Sequence, residues 1–276
     1  MKKSVLSMLA VAALVFGMTS CNGAKKSNEQ AEKTEEAAVI AGQAPKDLLT
    51  EELKQETIQL LKDMPDSEIP YRLSSGEIKV SVGDAKYMLP VAKAAELTTP
   101  TQKARALGMY MADYNVLKAI GQPTADVEGV IAKLATDLNV SFVLEILKEE
   151  APKGAAKEEL QAFMKAQENK IIDKMGDENK IDVEVEMLGA ASAEYACLVA
   201  NPSLVVKGDA TSAGLSENME KRVSMLEEVV ADLSNYYPDL KQLGETISPL
   251  KEKVATIQSA RAANSEIMGI RDSLLK

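Results

Sequence analysis

Asp113 sits between Tyr110 and Tyr114 at helical spacing, with Arg105 about two turns earlier on the same stretch. A carboxylate flanked by phenols can line a polar pocket in which the acid orients a ligand. Tyr110, Asp113 and Tyr114, joined by Glu194 from a later helix, are the candidate pocket residues. Two aromatic residues at this spacing are usually core. The favoured expectation is therefore that the rings pack while Asp113 and Arg105 pair with neighbours. A second group, Glu184, Glu186 and Glu194, has the residue type of a carboxylate metal site. Helical bundles build such sites from Glu-x-x-His pairs on two helices, and this chain has no histidine. Glu184 and Glu186, two residues apart, point to different faces, so the expectation is a solvated acidic helix start that favours the helix dipole. Cys197 lies among small residues and should behave as a small buried hydrophobe with a raised pKa. The absence of histidine removes the commonest general base and the commonest metal ligand. Neither Ser-His-Asp nor Cys-His catalysis can be assembled, and no catalytic residue, metal or cofactor is expected.

These side chains have to be positioned by helices. Leu49, Leu53, Leu60, Leu61 and Met64 recur at near-helical spacing between Pro45 and Pro65. Residues 76–90 break the habit, since Ile78, Val80 and Val82 alternate with Lys79 and Ser81 and suggest a short extended or hairpin segment. Thr99-Pro100 reads as a cap followed by proline at the first helical position, opening a helix to Ile120 that Gly121 stops. A second helix follows, closed by Asn139, and a brief one begins after Ser141. The next runs from Leu160 to Met175 and is expected to close at Gly176. Between Ile181 and Ala200, Gly189, Ala193, Ala196, Cys197 and Ala200 lie three or four apart. Small residues so spaced let a neighbouring backbone approach, so this should be the central, most buried helix. Residues 207–216 read as a loop and 219–233 as a helix. The last long helix passes Pro249, where it kinks or restarts, and residues after Ala260 look polar enough to fray. The expected fold is all-α, a bundle of mostly antiparallel helices forming one domain over 45–276.

The first twenty-one residues give an address. Lys2 and Lys3, an apolar run from Val5 to Phe16, and Gly17-Met18-Thr19-Ser20-Cys21 form an export signal too short to anchor a helix in a bilayer. The cysteine after small residues resembles a bacterial lipobox, with Met18 where leucine is usual. That resemblance implies cleavage before Cys21, a diacylglyceryl thioether on its sulfur and an acylated amino terminus, so residues 1–20 are a lipoprotein signal peptide. More than one buried acyl chain makes such an anchor stable. From Asn22 to Glu36 there is no bulky apolar side chain, so residues 21–44 should form a flexible tether. Asn22 in place of aspartate, and the lack of an acidic cluster after the cysteine, point by the same resemblance to an outer-membrane anchor facing the periplasm.

The whole chain carries 32 basic and 42 acidic residues. Residues 1–20 hold two lysines and no acids, so the processed chain has a net charge of −12, from 30 basic against 42 acidic residues. Such a surface repels nucleic acid and anionic headgroups. Once Cys21 is acylated, Cys197 is the only thiol, which excludes an internal disulfide.

The segment Ala106-Leu107-Gly108-Met109-Tyr110-Met111-Ala112-Asp113-Tyr114, with the Leu-rich helix ending at Leu138-Asn139-Val140, resembles an uncharacterised family of helical lipoproteins of Bacteroidetes-type bacteria. A later Gly-Gly-Trp-x-Glu patch of that family corresponds here to Ala190-Ala191-Ser192-Ala193-Glu194, where only the glutamate matches. The resemblance spans Asp47 to Ile257 and implies fold and address, with no activity attached. Two functions fit. The favoured one is a membrane-tethered, non-enzymatic binding or scaffolding module that engages another envelope protein through a helical face. The alternative is a ligand binder holding a small molecule or amphiphile in an internal pocket. A closed bundle with an exposed apolar patch would speak for the first, and an interior pocket for the second.

Overall fold

The computed structural model describes residues 49–80 and 87–276. The signal peptide, the whole of the tether and Pro45 lie outside the described residues. Thr50 opens α1 (Glu51–Asp63), its hydroxyl accepting from Leu53 N at 3.2 Å. A short α2 (Ile69–Ser74) leads to the two-residue strand β1 (Ile78–Lys79), and a 3₁₀ turn over Val91–Glu96 precedes α3 (Pro100–Ala119). Then come α4 (Ala125–Asp137), α5 (Phe142–Leu147), α6 (Lys157–Asp177) and α7 (Ile181–Ala200). After strand β2 (Val205–Val206) the chain continues as α8 (Asp209–Leu233), α9 (Asp239–Ile247), α10 (Leu250–Lys253), α11 (Ile257–Ala262) and α12 (Asn264–Ser273). The fold is an all-α, multi-helix arrangement with one minimal sheet.

Local chemistry accounts for the helix ends. Thr99 and Gln102 form a capping box: Gln102 N donates to Thr99 Oγ1 at 3.1 Å and Thr99 N to Gln102 Oε1 at 3.1 Å. α4 closes on Asn139 in the left-handed region (φ 57°). α6 runs past Gly176 and closes on Asn179 instead (φ 55°). Gly176 answers to packing, since a Cβ there would lie 2.5 Å from Cδ1 of Ile58 on α1.

α7 is the axis of the molecule, with 17 of its 20 residues buried, including Gly189, Ala193, Ala196, Cys197 and Ala200. The close backbone approach, however, comes through α3. A Cβ at Gly108 would stand 2.0 Å from the Met187 carbonyl oxygen, so the two helices touch backbone to backbone there. Arg105 meets Glu186, Gly108 meets Met187, and Asp113 meets Glu194. Those pairs rise together in number, so α3 and α7 run parallel. Helices joined by short turns are antiparallel, as in α3 and α4, where Lys103 reaches Asp137 at 2.7 Å.

Three local expectations are corrected. The expected extended segment is present as β1, but among the described residues its partner is distant and not a hairpin mate: Ile78 pairs with Val206 and Lys79 with Val205, antiparallel. Residues 81–86 lie outside the described residues. The stretch read as a loop at 207–216 is mostly helix, since α8 begins at Asp209 just after Gly208 (φ 82°) and buries Leu215, Ser216 and Met219 on one stripe. The end of the chain does not fray. α11 and α12 pack Ile267, Leu274 and Leu275 into the core, and Gln102 Nε2 donates to the carbonyls of Leu275 and Lys276 at 3.2 and 3.1 Å.

Two glycine substitutions test the packing. Gly108→Ala should lower stability by about 3 kcal/mol or more in denaturant unfolding, because backbone must move to admit the methyl group. Gly129→Ala, in α4 with open space around it, should raise stability by roughly 0.5–1 kcal/mol. Equal effects at the two sites would contradict the close α3–α7 contact.

Candidate functional site

The acids on α7 divide into three environments. Glu186 is 4 % exposed and takes a bidentate contact from Arg105 of α3, Nε to Oε2 at 2.6 Å and Nη2 to Oε1 at 3.3 Å. Arg105 also donates to the carbonyls of Leu274 at 3.3 Å and Asp239 at 3.4 Å, which ties α9 and the C-terminal end to the central pair. Burial still pushes the Glu186 carboxyl upward against the lowering effect of the guanidinium.

Glu194 and Asp113 face each other two turns further along. Asp113 Oδ2 accepts from Leu89 N at 3.0 Å, and Glu194 Oε1 lies 3.5 Å from Nη1 of Arg271 on α12. Burial raises Asp113 well above the usual carboxylate range, and the Glu194 charge beside it adds to the effect. Burial lifts Glu194 to about 7, while Arg271 and the hydrogen bond from Asp113 pull the other way. The arrangement is a neutral Asp113 donating to an ionised Glu194 that Arg271 compensates. Like charges so close cannot both ionise cheaply in a dry interior. Cys197, one turn beyond Glu194, is free and buried, and burial pushes its thiol up as expected.

Structure thus brings Asp113 and Glu194 together, with Tyr110 close by but directed elsewhere, its hydroxyl donating to Pro90 O at 2.8 Å. Tyr110 and Asp113 clamp the Leu89–Pro90 segment onto α3. Tyr114 lies apart from this group, its ring 5.5 Å from Lys118 Nζ. Tyr110, Asp113 and Glu194 serve this structural clamp, Tyr114 stands outside it, and the cavity described next is lined by others. Arg271, its essential counter-ion, escaped sequence reasoning because it lies in a polar tail with no helical stripe strong enough to announce it.

Glu184 differs from Glu186 and Glu194 in having, among the described residues, no cation within ion-pair distance, although the Glu194 oxygens too lack an ordinary hydrogen-bond donor. It is 1 % exposed, and no protein group meets its Oε2. Burial, with the Glu168 charge second, pushes it up to about 8. The expected solvated acidic start of this helix is therefore corrected. Glu184, Glu186 and Glu194 are all buried, because α7 is enclosed from its first turn. They do not converge, and among the described residues no group of His, Cys, Asp or Glu side chains is placed to hold a metal.

Glu184, Leu188, Ala191 and Tyr195 recur at i, i+4, i+7 and i+11, one stripe of α7 facing a cavity of about 80 Å³. Across from them stand Met111 and Asn115 of α3, Met164 and Glu168 of α6, and Arg222 of α8. Arg222 is 2 % exposed. Its Nη1 donates to Pro65 O, both terminal nitrogens lie 3.4 Å from Glu168 Oε1, and its Nε has no protein partner. Asp66, in the α1–α2 turn, accepts from Gln161 at 3.4 Å on Oδ1 and leaves Oδ2 unmet. Burial raises its pKa. Unmatched donors and acceptors round a small void are what a binding site presents when empty, since native interiors seldom leave such groups alone. Family models, characterised proteins and solved structures yield no match to this chain.

Two measurements follow. Arg271→Met should cost about 3–5 kcal/mol in denaturant unfolding by leaving Glu194 charged and uncompensated. Adding Glu194→Gln should recover most of that loss, whereas additive losses would contradict the pairing. The folded state holds the Glu184 proton to about pH 8, the unfolded chain only to about 4.5. Unfolded chains then bind fewer protons, so stability falls as pH rises through this window, by up to about 1.4 kcal/mol per unit for one group. Glu184→Gln should remove that share of the slope in a series of unfolding curves, and an unchanged slope would place the titration elsewhere.

Proposed function

We propose that this chain is a non-enzymatic lipoprotein of the bacterial envelope, related to the helical lipoproteins it resembles. In this reading it is anchored at the outer membrane through acylated Cys21 and holds a small molecule in the cavity under Glu184. The observation that carries it is the buried Glu184 Oε2 without a partner, facing a void that also holds the unmet Arg222 Nε. A carboxyl kept from water and from protein partners is costly unless a ligand or solvent meets it.

The scaffolding alternative draws less support. Among the described residues the large exposed apolar side chains are Val91 and Val205, on separate segments, which makes no patch for a protein partner. Among the described residues no helix is long and apolar enough to cross a membrane.

Native mass spectrometry of the full chain, released from its membrane in mild detergent, should show a small-molecule mass that denaturation removes. Ala191→Phe, which fills the cavity, should abolish it. An identical mass before and after denaturation in the unaltered protein would overturn the binding reading. Metabolic labelling with palmitate, followed by membrane fractionation, tests the address separately. Cys21→Ala should lose both the label and the membrane association, and retention of both would overturn the anchor.

A further inference from the structure

The cavity's charge and shape narrow the class of molecule it takes, given that it is a ligand site. Three carboxyl groups, Asp66, Glu168 and Glu184, line it against one guanidinium, that of Arg222. The guanidinium is already held, its terminal nitrogens turned to Pro65 O and Glu168. What stays open in the protein is mostly acceptor capacity, Glu184 Oε2 and Asp66 Oδ2, beside the donor Arg222 Nε and the Ser67 hydroxyl, which can donate or accept. An anion entering here would face three acids and a cation already engaged. A cation meets unmatched oxygens.

Much of the rest of the wall is hydrocarbon and thioether, Met111, Met164, Ile171 and Leu188 among them, interrupted by Ser67, Asn115, Gln167 and Tyr195. A bare metal ion would need several converging oxygen ligands, which this wall does not supply. A second cavity of about 80 Å³ adjoins the first through Asn115, Met164 and Gln167, and Leu160 and Phe163 line its far side. Met164 lines both, and Leu160 and Phe163 offer apolar surface in the second beside the polar Ser74 and Lys118.

We infer that the site binds a small primary amine as its ammonium ion, the nitrogen donating to Glu184 and Asp66 and a short alkyl tail passing Met164 toward Phe163. Two or three N–H donors on one nitrogen satisfy the two acceptors that the protein leaves open. The tail gains burial that an ammonium ion alone lacks. The charged and titratable groups that line the cavity with Glu184 are Glu168 from α6, itself paired with Lys165, Arg222 from α8, Asp66 from the α1–α2 turn and Tyr195 from α7 itself. Glu184 enters the complex as a carboxylate, so at neutral pH its proton leaves to the buffer as the ammonium ion binds.

Isothermal titration of the full chain at pH 7 with n-butylammonium, n-butanol and butyrate tests this directly. Butylammonium should bind at least tenfold more tightly than butanol, and butyrate should not bind. Runs in buffers of different ionisation enthalpy should show release of close to one proton per amine. Each CH₂ from ethylammonium to butylammonium should tighten binding by roughly two- to fourfold. Glu184→Gln should weaken butylammonium at least tenfold, with circular dichroism showing the helices intact. Asp66→Asn, on a turn outside the helices, should weaken it too. If butanol binds as well as the amine, or butyrate binds best, the amine class is overturned and the cavity stands as a ligand site. If none of the three binds, and native mass spectrometry shows no bound species, both fail.

Discussion

Everything in this molecule hangs on the backbone contact between α3 and α7. Gly108 gives the Met187 carbonyl room that no side chain would leave, and that single approach fixes the distance, the register and the parallel direction of the central pair. Once these are set, Arg105 lies opposite Glu186 and Asp113 opposite Glu194, eight residues apart on both helices. The remaining helices are then arranged by what the two carry outward. Arg105 collects carbonyls from α9 and from the end of the chain, and Glu194 draws Arg271 and α12 against α7. Ion pairs buried this deeply contribute little net stability. Their larger effect is to penalise any arrangement that would leave one partner alone.

Charge placement on α7 follows from the same enclosure. A helix this deeply enclosed leaves only Asp182 among its acids partly exposed, so each of its three buried glutamates is either matched or neutral. Glu186 is matched by Arg105, and Glu194 is matched by Arg271 with Asp113 holding the shared proton. Glu184 has neither device from protein alone and is held protonated by burial at about pH 8. In a chain without histidine, burial thus lifts two carboxyls, Glu184 and Glu194, toward neutral pH. The functional reading rests on that contrast: two acids with built counter-ions serve architecture, and the one without faces the void.

The local half of this structure is legible in the sequence, the tertiary half much less so. Capping at Thr99-Pro100, the left-handed close at Asn139, the stop at Gly121 and the small-residue run of α7 all depend on a few adjacent residues, and each appears where those residues place it. What escapes depends on distant partners. β1 finds its mate at Val205–Val206, and α8 starts ten residues before Met219, with Leu215 extending its buried stripe. α12 is ordered by one arginine whose value comes from an acid 77 residues away. For the same reason, the residues proposed from helical spacing alone, Tyr110, Asp113, Tyr114 and Glu194, divide into a clamp and a bystander. Glu184, discounted as a solvated first-turn acid, becomes the candidate, since enclosure of a helix start by α6 and α8 leaves no local trace.

An experimental electron-density map of the full chain purified from its native envelope tests the central claim most directly. The account predicts continuous non-protein density within hydrogen-bond distance of Glu184 Oε2, extending past Met164. Ordered water alone at that position, or a cavity closed by repacking of Met111 and Leu188, would contradict it.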